Sequence, residues 1–135
     1  MRKAAFVYDE GLVVRIIGED DEFNPSRLQY TYELLRAYRA FNKSTSRLVV
    51  PERADEAKIL TFHTRDYVEA VRDFSRGERQ CDAARFNFSD YGDNPIFPGV
   101  YEVSVMIVGA TLKAADLVAE GSFEVAFDHS GGGHH

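Results

Sequence analysis

The sequence predicts an α/β fold, a parallel sheet flanked by helices. Two observations carry this. Short apolar runs at Ala4 to Tyr8, Leu48 to Val50 and Phe123 to Phe127 have the length of buried strands. Longer segments with helical periodicity lie between them, as parallel pairing requires. At 135 residues the chain can bury the core of one domain. No repeat, low-complexity tract or linker divides it, so residues 1–135 are read as a single domain.

Ala4 to Tyr8 reads as the first strand, and Asp9 to Glu22 as an acidic loop. Asn24-Pro25 then opens a helix, since Asn caps well and Pro suits the first helical position. Leu28, Tyr32, Leu35 and Tyr38 recur on one face of it. Leu48 to Val50 is a second short strand and Ala54 to Leu60 a small helix. Thr64 caps a further helix, with Tyr67, Val71 and Phe74 on one side. Gly77 to Gly92 is irregular, and Asp93-Asn94-Pro95 and Pro98-Gly99 mark turns. Tyr101 to Glu120 is the longest helix. Its polar residues Glu102, Lys113, Asp116 and Glu120 form one stripe, so nearly all the rest of its surface is expected to be buried. Gly121 ends it, and Glu124 to Asp128 is the next strand.

Composition excludes several classes. Sixteen basic against 22 acidic side chains give a net charge of −6, which argues against a nucleic-acid surface. Cys81 stands alone, so neither an intrachain disulfide nor a cysteine-built zinc site is possible, and a cytoplasmic location fits. The apolar start is too short for a signal peptide, and no run reaches membrane-spanning length.

The most informative stretch is Ser130-Gly131-Gly132-Gly133-His134-His135. A strand running into a glycine turn can hold imidazoles at the carboxyl edge of a parallel sheet, where open α/β folds place their sites. Two adjacent histidines there could divide the work of proton donor and acceptor near neutral pH. Plainer accounts stay open: two structural histidines, or a linker running into a shortened purification tag. Asp128 and His129 could add metal ligands, but neighbouring strand side chains point to opposite faces. The glycines match neither a phosphate-binding loop nor the dinucleotide spacing.

Four landmarks in order resemble the arginase/deacetylase superfamily, in particular acetoin-utilization deacetylases and class I histone deacetylases. They are Asn24-Pro25-Ser26-Arg27-Leu28, Phe62-His63-Thr64 with Tyr67, Asp93-Asn94-Pro95 running to Gly99, and the closing glycines and histidines. The resemblance covers nearly the whole chain and implies the N-terminal portion of an arginase/deacetylase-like fold. It implies a zinc-dependent hydrolase removing an acetyl or similar group from a lysine-like amine. His134 and His135 would be its acid–base pair, Asp93 would hold the substrate at the rim, and Arg27 would lie near a channel at the pocket floor. Gly133 would line the substrate pocket. A surface arginine and a turn-forming aspartate account for Arg27 and Asp93 equally well, and His63 reads as structural.

This sequence departs from the pattern. Asp128 stands where such families have Asn, His129 fills a variable, often apolar position, and Gly133 replaces a larger residue. The family's zinc ligands follow the tandem histidines, so zinc is expected in a complete protein and not at that site in these 135 residues. The isolated chain is therefore expected to be inactive and to self-associate, most simply as a homodimer through an exposed sheet edge or apolar surface. Two alternatives are a non-catalytic self-associating module and a differently metallated histidine-based hydrolase.

Overall fold

The computed structural model describes residues 2–13, 26–78, 81–90 and 92–132. Its centre is a three-stranded parallel sheet of β1 (Ala4–Val7), β2 (Ser46–Val49) and β3 (Val125–Asp128), in the order β2-β1-β3. Phe6 aligns with Leu48 on one side and with Phe127 on the other. Central β1 is apolar throughout because both its faces are covered: Ala5, Phe6 and Val7 are all buried. β2 begins two residues earlier than the apolar run alone suggests.

Two layers cover the sheet. Helix α1 (Ser26–Ala37) and the turn Ala40–Asn42 cover one face through stacked aromatics. Tyr8 lies on Tyr32 with ring centres 4.5 Å apart, and Phe6 lies on Phe41 at 5.6 Å. Leu28 is buried here, with Tyr32 and Leu35 half-buried beside it. Tyr38 is not part of this face: it is 76% exposed. The helix ends at Ala37, and Arg39 turns the chain with φ of 53°. The Asn24-Pro25 start of this helix lies outside the described residues.

The other face is covered by α4 (Val100–Ala119), the spine of the molecule. Its C-terminal half joins the sheet core through Ala110 and Leu117. Its N-terminal half joins a second core through Val100 and Val103, with Val71 and Phe74 of α3 (Arg65–Ser75) and Phe88 and Phe97. Ile107 touches both cores. Arg72 on α3 donates to the Tyr101 hydroxyl at 2.8 Å and to Glu56 on α2 (Glu56–Ile59), tying the three helices together. Thr64 occupies the cap position of α3, as its sequence suggests, but its hydroxyl makes no capping bond. Between β1 and the undescribed segment, Glu10–Leu12 forms a short 3-10 turn where a loop was expected, and Leu12 buries against the sheet core.

The facing expected for α4 needs correction. Glu102, Asp116 and Glu120 are exposed as anticipated, but Lys113 is half-buried, and Ser104, Val108, Thr111, Ala115 and Val118 are exposed as well. The sheet, α3 and the 52–54 segment cover the remaining sides. The outer strand β3 is open too: Val125 and Phe127 are 48% and 53% exposed.

Candidate active site at the carboxyl edge of the sheet

At the end of β3 the chain turns on a fixed frame. The Asp128 carboxylate accepts from the Ser130 backbone N–H at 2.9 Å and from the Ser130 hydroxyl at 2.6 Å. Its other oxygen accepts from the Thr111 hydroxyl on α4 at 2.8 Å. Ser130 is buried, and Gly131 follows with φ of +66°, a conformation that favours glycine. A methyl group placed on Gly132 would rest on Ile107 at 3.8 Å. The turn that leads to the two histidines is thus anchored to the helix at the carboxyl edge of a parallel sheet. Gly133, His134 and His135 lie outside the described residues.

His129 points the other way, as strand alternation demands. Its ring packs on Phe6 at 5.0 Å and on Phe127 at 5.8 Å, beneath the α1 layer. Both ring nitrogens are buried without a hydrogen-bond partner, as is the nearby Tyr8 hydroxyl. Burial pushes the His129 pKa down. The Leu28 backbone, outside hydrogen-bonding geometry, and Asp128 oppose that shift, while the Arg27 charge adds to it.

A neutral histidine in the fold stabilises it only while the unfolded chain is also neutral. The folded pKa is lowered, so this stability is complete above about pH 6.5 and is lost as pH falls from there toward the folded value. His129→Phe keeps the ring stacking and removes the two orphaned nitrogens. The variant is expected to gain about 1 kcal/mol at neutral pH and to lose this part of the acid sensitivity. Urea unfolding at pH 7.5 and 5.5 checks it; identical pH dependence in both proteins would contradict the assignment.

The remaining sequence-predicted residues are dispersed around this edge. Arg27 is the second residue of α1, exposed, and close enough to His129 to act on its charge. Asp93 is exposed on a turn held by a bridge between Ser89 and Pro95. The Ser89 N–H donates to the Asn94 carbonyl at 3.1 Å, and the Asn94 amide donates to the Asn87 carbonyl at 3.1 Å. The residue after Asp93, Asn94, lines a cavity of about 380 Å³ that Gly132 also lines. The structure therefore brings the Asp93 turn and the glycine turn to one cavity and leaves Arg27 on the opposite side of the sheet. His63, read from sequence as structural, lines the same cavity and stacks on Tyr67 at 4.9 Å. Its place in the Phe62-His63-Thr64 landmark was the available signal.

Residues 21–135 match the family described as Histone deacetylase domain. The chain belongs to this family. It is 32% identical to acetoin utilization protein AcuC of Bacillus subtilis (strain 168) over 135 residues, all of this chain and 34% of that protein. It is 32% identical to AcuC of Staphylococcus aureus (strain MSSA476), over 98% of this chain and 34% of that protein. Identity to histone deacetylase clr6 of Schizosaccharomyces pombe is 28%, over 99% of this chain and 33% of that protein. The chain spans about one third of the length of these curated relatives.

The zinc ion that the histone deacetylase resemblance implies does not fit the described residues. No three His, Cys, Asp or Glu side chains among them gather as a metal site. Asp128 is committed to Ser130 and Thr111, and His129 is turned to the far face of the sheet. No helix among the described residues is long and apolar enough to cross a membrane.

Proposed function

We propose that these residues are the N-terminal part of a deacetylase that hydrolyses acetyl-lysine-like amides. The observation that carries the reading is the anchored glycine turn leading into two histidines in a chain of this family. On this reading one histidine takes a proton from water as its oxygen bonds to the acyl carbon. The other delivers a proton to the amine nitrogen as the carbon–nitrogen bond breaks, so carboxylate and amine leave. Asp93, exposed beside the cavity, would accept hydrogen bonds from the substrate backbone. Gly133 would leave room beside the histidine pair, and Arg27, carried on α1 across the sheet from this cavity, would lie near an internal channel at the pocket floor. Zinc would be held by residues outside those described. The lone Cys81 supports a reducing compartment such as the cytoplasm.

The 135-residue chain is expected to hydrolyse no acetyl-lysine peptide. A chain carrying the remaining length of its relatives is expected to do so and to lose at least about 100-fold on His135→Ala. Full activity in that variant would refute the assignment. Hydrolysis by the short chain with stoichiometric bound metal would favour a differently metallated hydrolase instead.

The exposed β3 edge favours one further reading, self-association. Among the described residues no strand pairs with the outer edge of β3, where Val125 and Phe127 are exposed, an edge of the kind that recruits another chain. Light scattering of the 135-residue chain is expected to show a dimer at high concentration, and Phe127→Lys is expected to shift it to monomer. A monomer at every concentration would end this reading.

A further inference from the structure

We propose that Thr111 on α4 and Asp128 at the end of β3 are positioning residues: they fix the glycine turn to the helix and so set where the chain delivers its histidine pair. Their effect on catalysis rests on the deacetylase reading; their hold on the turn does not.

The sheet stops supporting the chain at Asp128. Its register with Val7 is the last pairing between β3 and β1, and among the described residues no strand lies on the outer side. Further on, Gly131, Gly132 and Gly133 have no side chain with which to fix the backbone, and glycine restricts its own backbone least. Every side-chain anchor between the sheet and His134 therefore falls on residues 128–130. His129 is turned to the far face, against Phe6. That leaves Asp128 and Ser130. One Asp128 oxygen accepts both the Ser130 N–H, at 2.9 Å, and the Ser130 hydroxyl, at 2.6 Å. These two bonds close the turn on itself without attaching it to another element. The polar bond that attaches it is the one from the Thr111 hydroxyl to the other Asp128 oxygen, at 2.8 Å.

Thr111 has one hydroxyl proton and two acceptors within reach. The Ile107 carbonyl, four residues back on the helix, lies at 3.3 Å and the carboxylate at 2.8 Å. The shorter bond, to the charged oxygen, is the stronger. The hydroxyl is thus drawn from the local helical bond that a mid-helix threonine ordinarily makes to one that crosses to the turn. Thr111 is exposed and Asp128 half-buried, so water can replace either partner and the bond adds little to stability. What it supplies is geometry. A misplacement of about 1 Å in an acid–base group costs on the order of 100-fold in rate.

Four variants test this. Thr111→Val keeps the side-chain shape and removes the hydroxyl, and Thr111→Ser keeps the hydroxyl. Asp128→Ala removes both acceptors. Asp128→Asn keeps one oxygen for Ser130 and turns its amide to the Thr111 oxygen, whose proton can then go to Ile107. In a chain carrying the remaining length of its relatives, Thr111→Val and Asp128→Ala are expected to lower kcat on an acetyl-lysine peptide at least about tenfold with little change in KM. The Ser and Asn variants are expected to keep at least about half of the parental kcat. In the 135-residue chain, NMR relaxation is expected to show the Gly131 and Gly132 amides falling from order parameters of about 0.85 toward about 0.6 in the Val and Ala variants, and staying at the parental values in the Ser and Asn variants. All four are expected to melt close to the parent. Parental kcat in both the Val and Ala variants would overturn the proposal and leave the deacetylase reading intact. Equal losses in Val and Ser, or in Ala and Asn, would overturn it, because the bond would then not be the cause. A fall in kcat with no change at Gly131 and Gly132 would overturn it as well. Loosening of the two glycines with rescue by Ser and Asn, in a protein whose extended chain hydrolyses no acetyl-lysine peptide, would refute the deacetylase reading and uphold the hold on the turn.

Discussion

Val105→Asp is expected to unfold the protein. Val105 is 4% exposed, on the side of α4 that meets the rest of the molecule, and its carbonyl accepts from the Ala54 N–H at 3.0 Å. A carboxylate there is cut off from water. It must either stay charged in an apolar site or take up a proton at a strongly raised pKa. Both routes cost on the order of 5 kcal/mol, comparable with the whole stability of a small domain. Two comparison variants make the test specific to facing. Val108→Asp places the same charge three residues on, at a position 38% exposed, and Lys113→Ala removes a polar side chain. Both are expected to stay within about 1 kcal/mol of the parent. Melting curves by circular dichroism should show no cooperative transition for the first and near-parent transitions for the others. Similar small shifts in all three would refute the facing of α4.

The contrast between Val105 and Val108 also marks where the sequence could and could not be read. Helical spacing identified α4 and its end at Gly121, whose φ of +73° and N–H bond to the Val118 carbonyl close the helix. Spacing says which residues share a side, but not whether a neighbour covers that side. An apolar residue such as Val108 reads as buried when its partner surface is assumed to exist. Tyr38 failed for a different reason: the periodicity continued one residue past the end of α1 at Ala37, just before Arg39 turns the chain. Parallel pairing followed from helices separating the strands, but the order β2-β1-β3 depends on crossovers that no local pattern encodes.

At the candidate site, strand alternation alone separated Asp128 from His129. The structure bears this out, with Thr111 and Ser130 holding the aspartate and Phe6 and Phe127 packing the histidine. Convergence of the Asp93 turn, His63 and Gly132 on one cavity was not legible, because those residues lie far apart in sequence and meet only through α4.

Gly109→Ala is expected to be the most damaging small change in the molecule. Gly109 is buried in the middle of α4, where the 52–54 segment crosses the helix. A Cβ there would lie 1.9 Å from the Glu52 carbonyl oxygen and 2.9 Å from the Ala54 nitrogen. Both are backbone atoms, so no rotamer change relieves the contact. The crossing segment must move away, and the Ala54 N–H bond to Val105 is stretched with it. Alanine favours a helix over glycine by about 1 kcal/mol, so an open site would gain from the change. Overpacking against fixed backbone costs about 1–3 kcal/mol and here sits at or above the upper end. The net expectation is a loss of at least about 2 kcal/mol, a fall in melting temperature on the order of 7 °C for a chain this size. Because α4 also carries Ile107 and Thr111, which support the glycine turn, a displaced crossing should disturb the candidate site as well. Two-dimensional NMR of the variant is expected to show shifts at Ser130 and Gly131 beside those at Glu52 and Ala54. An unchanged or raised melting temperature would mean that the helix and the 52–54 segment do not approach this closely.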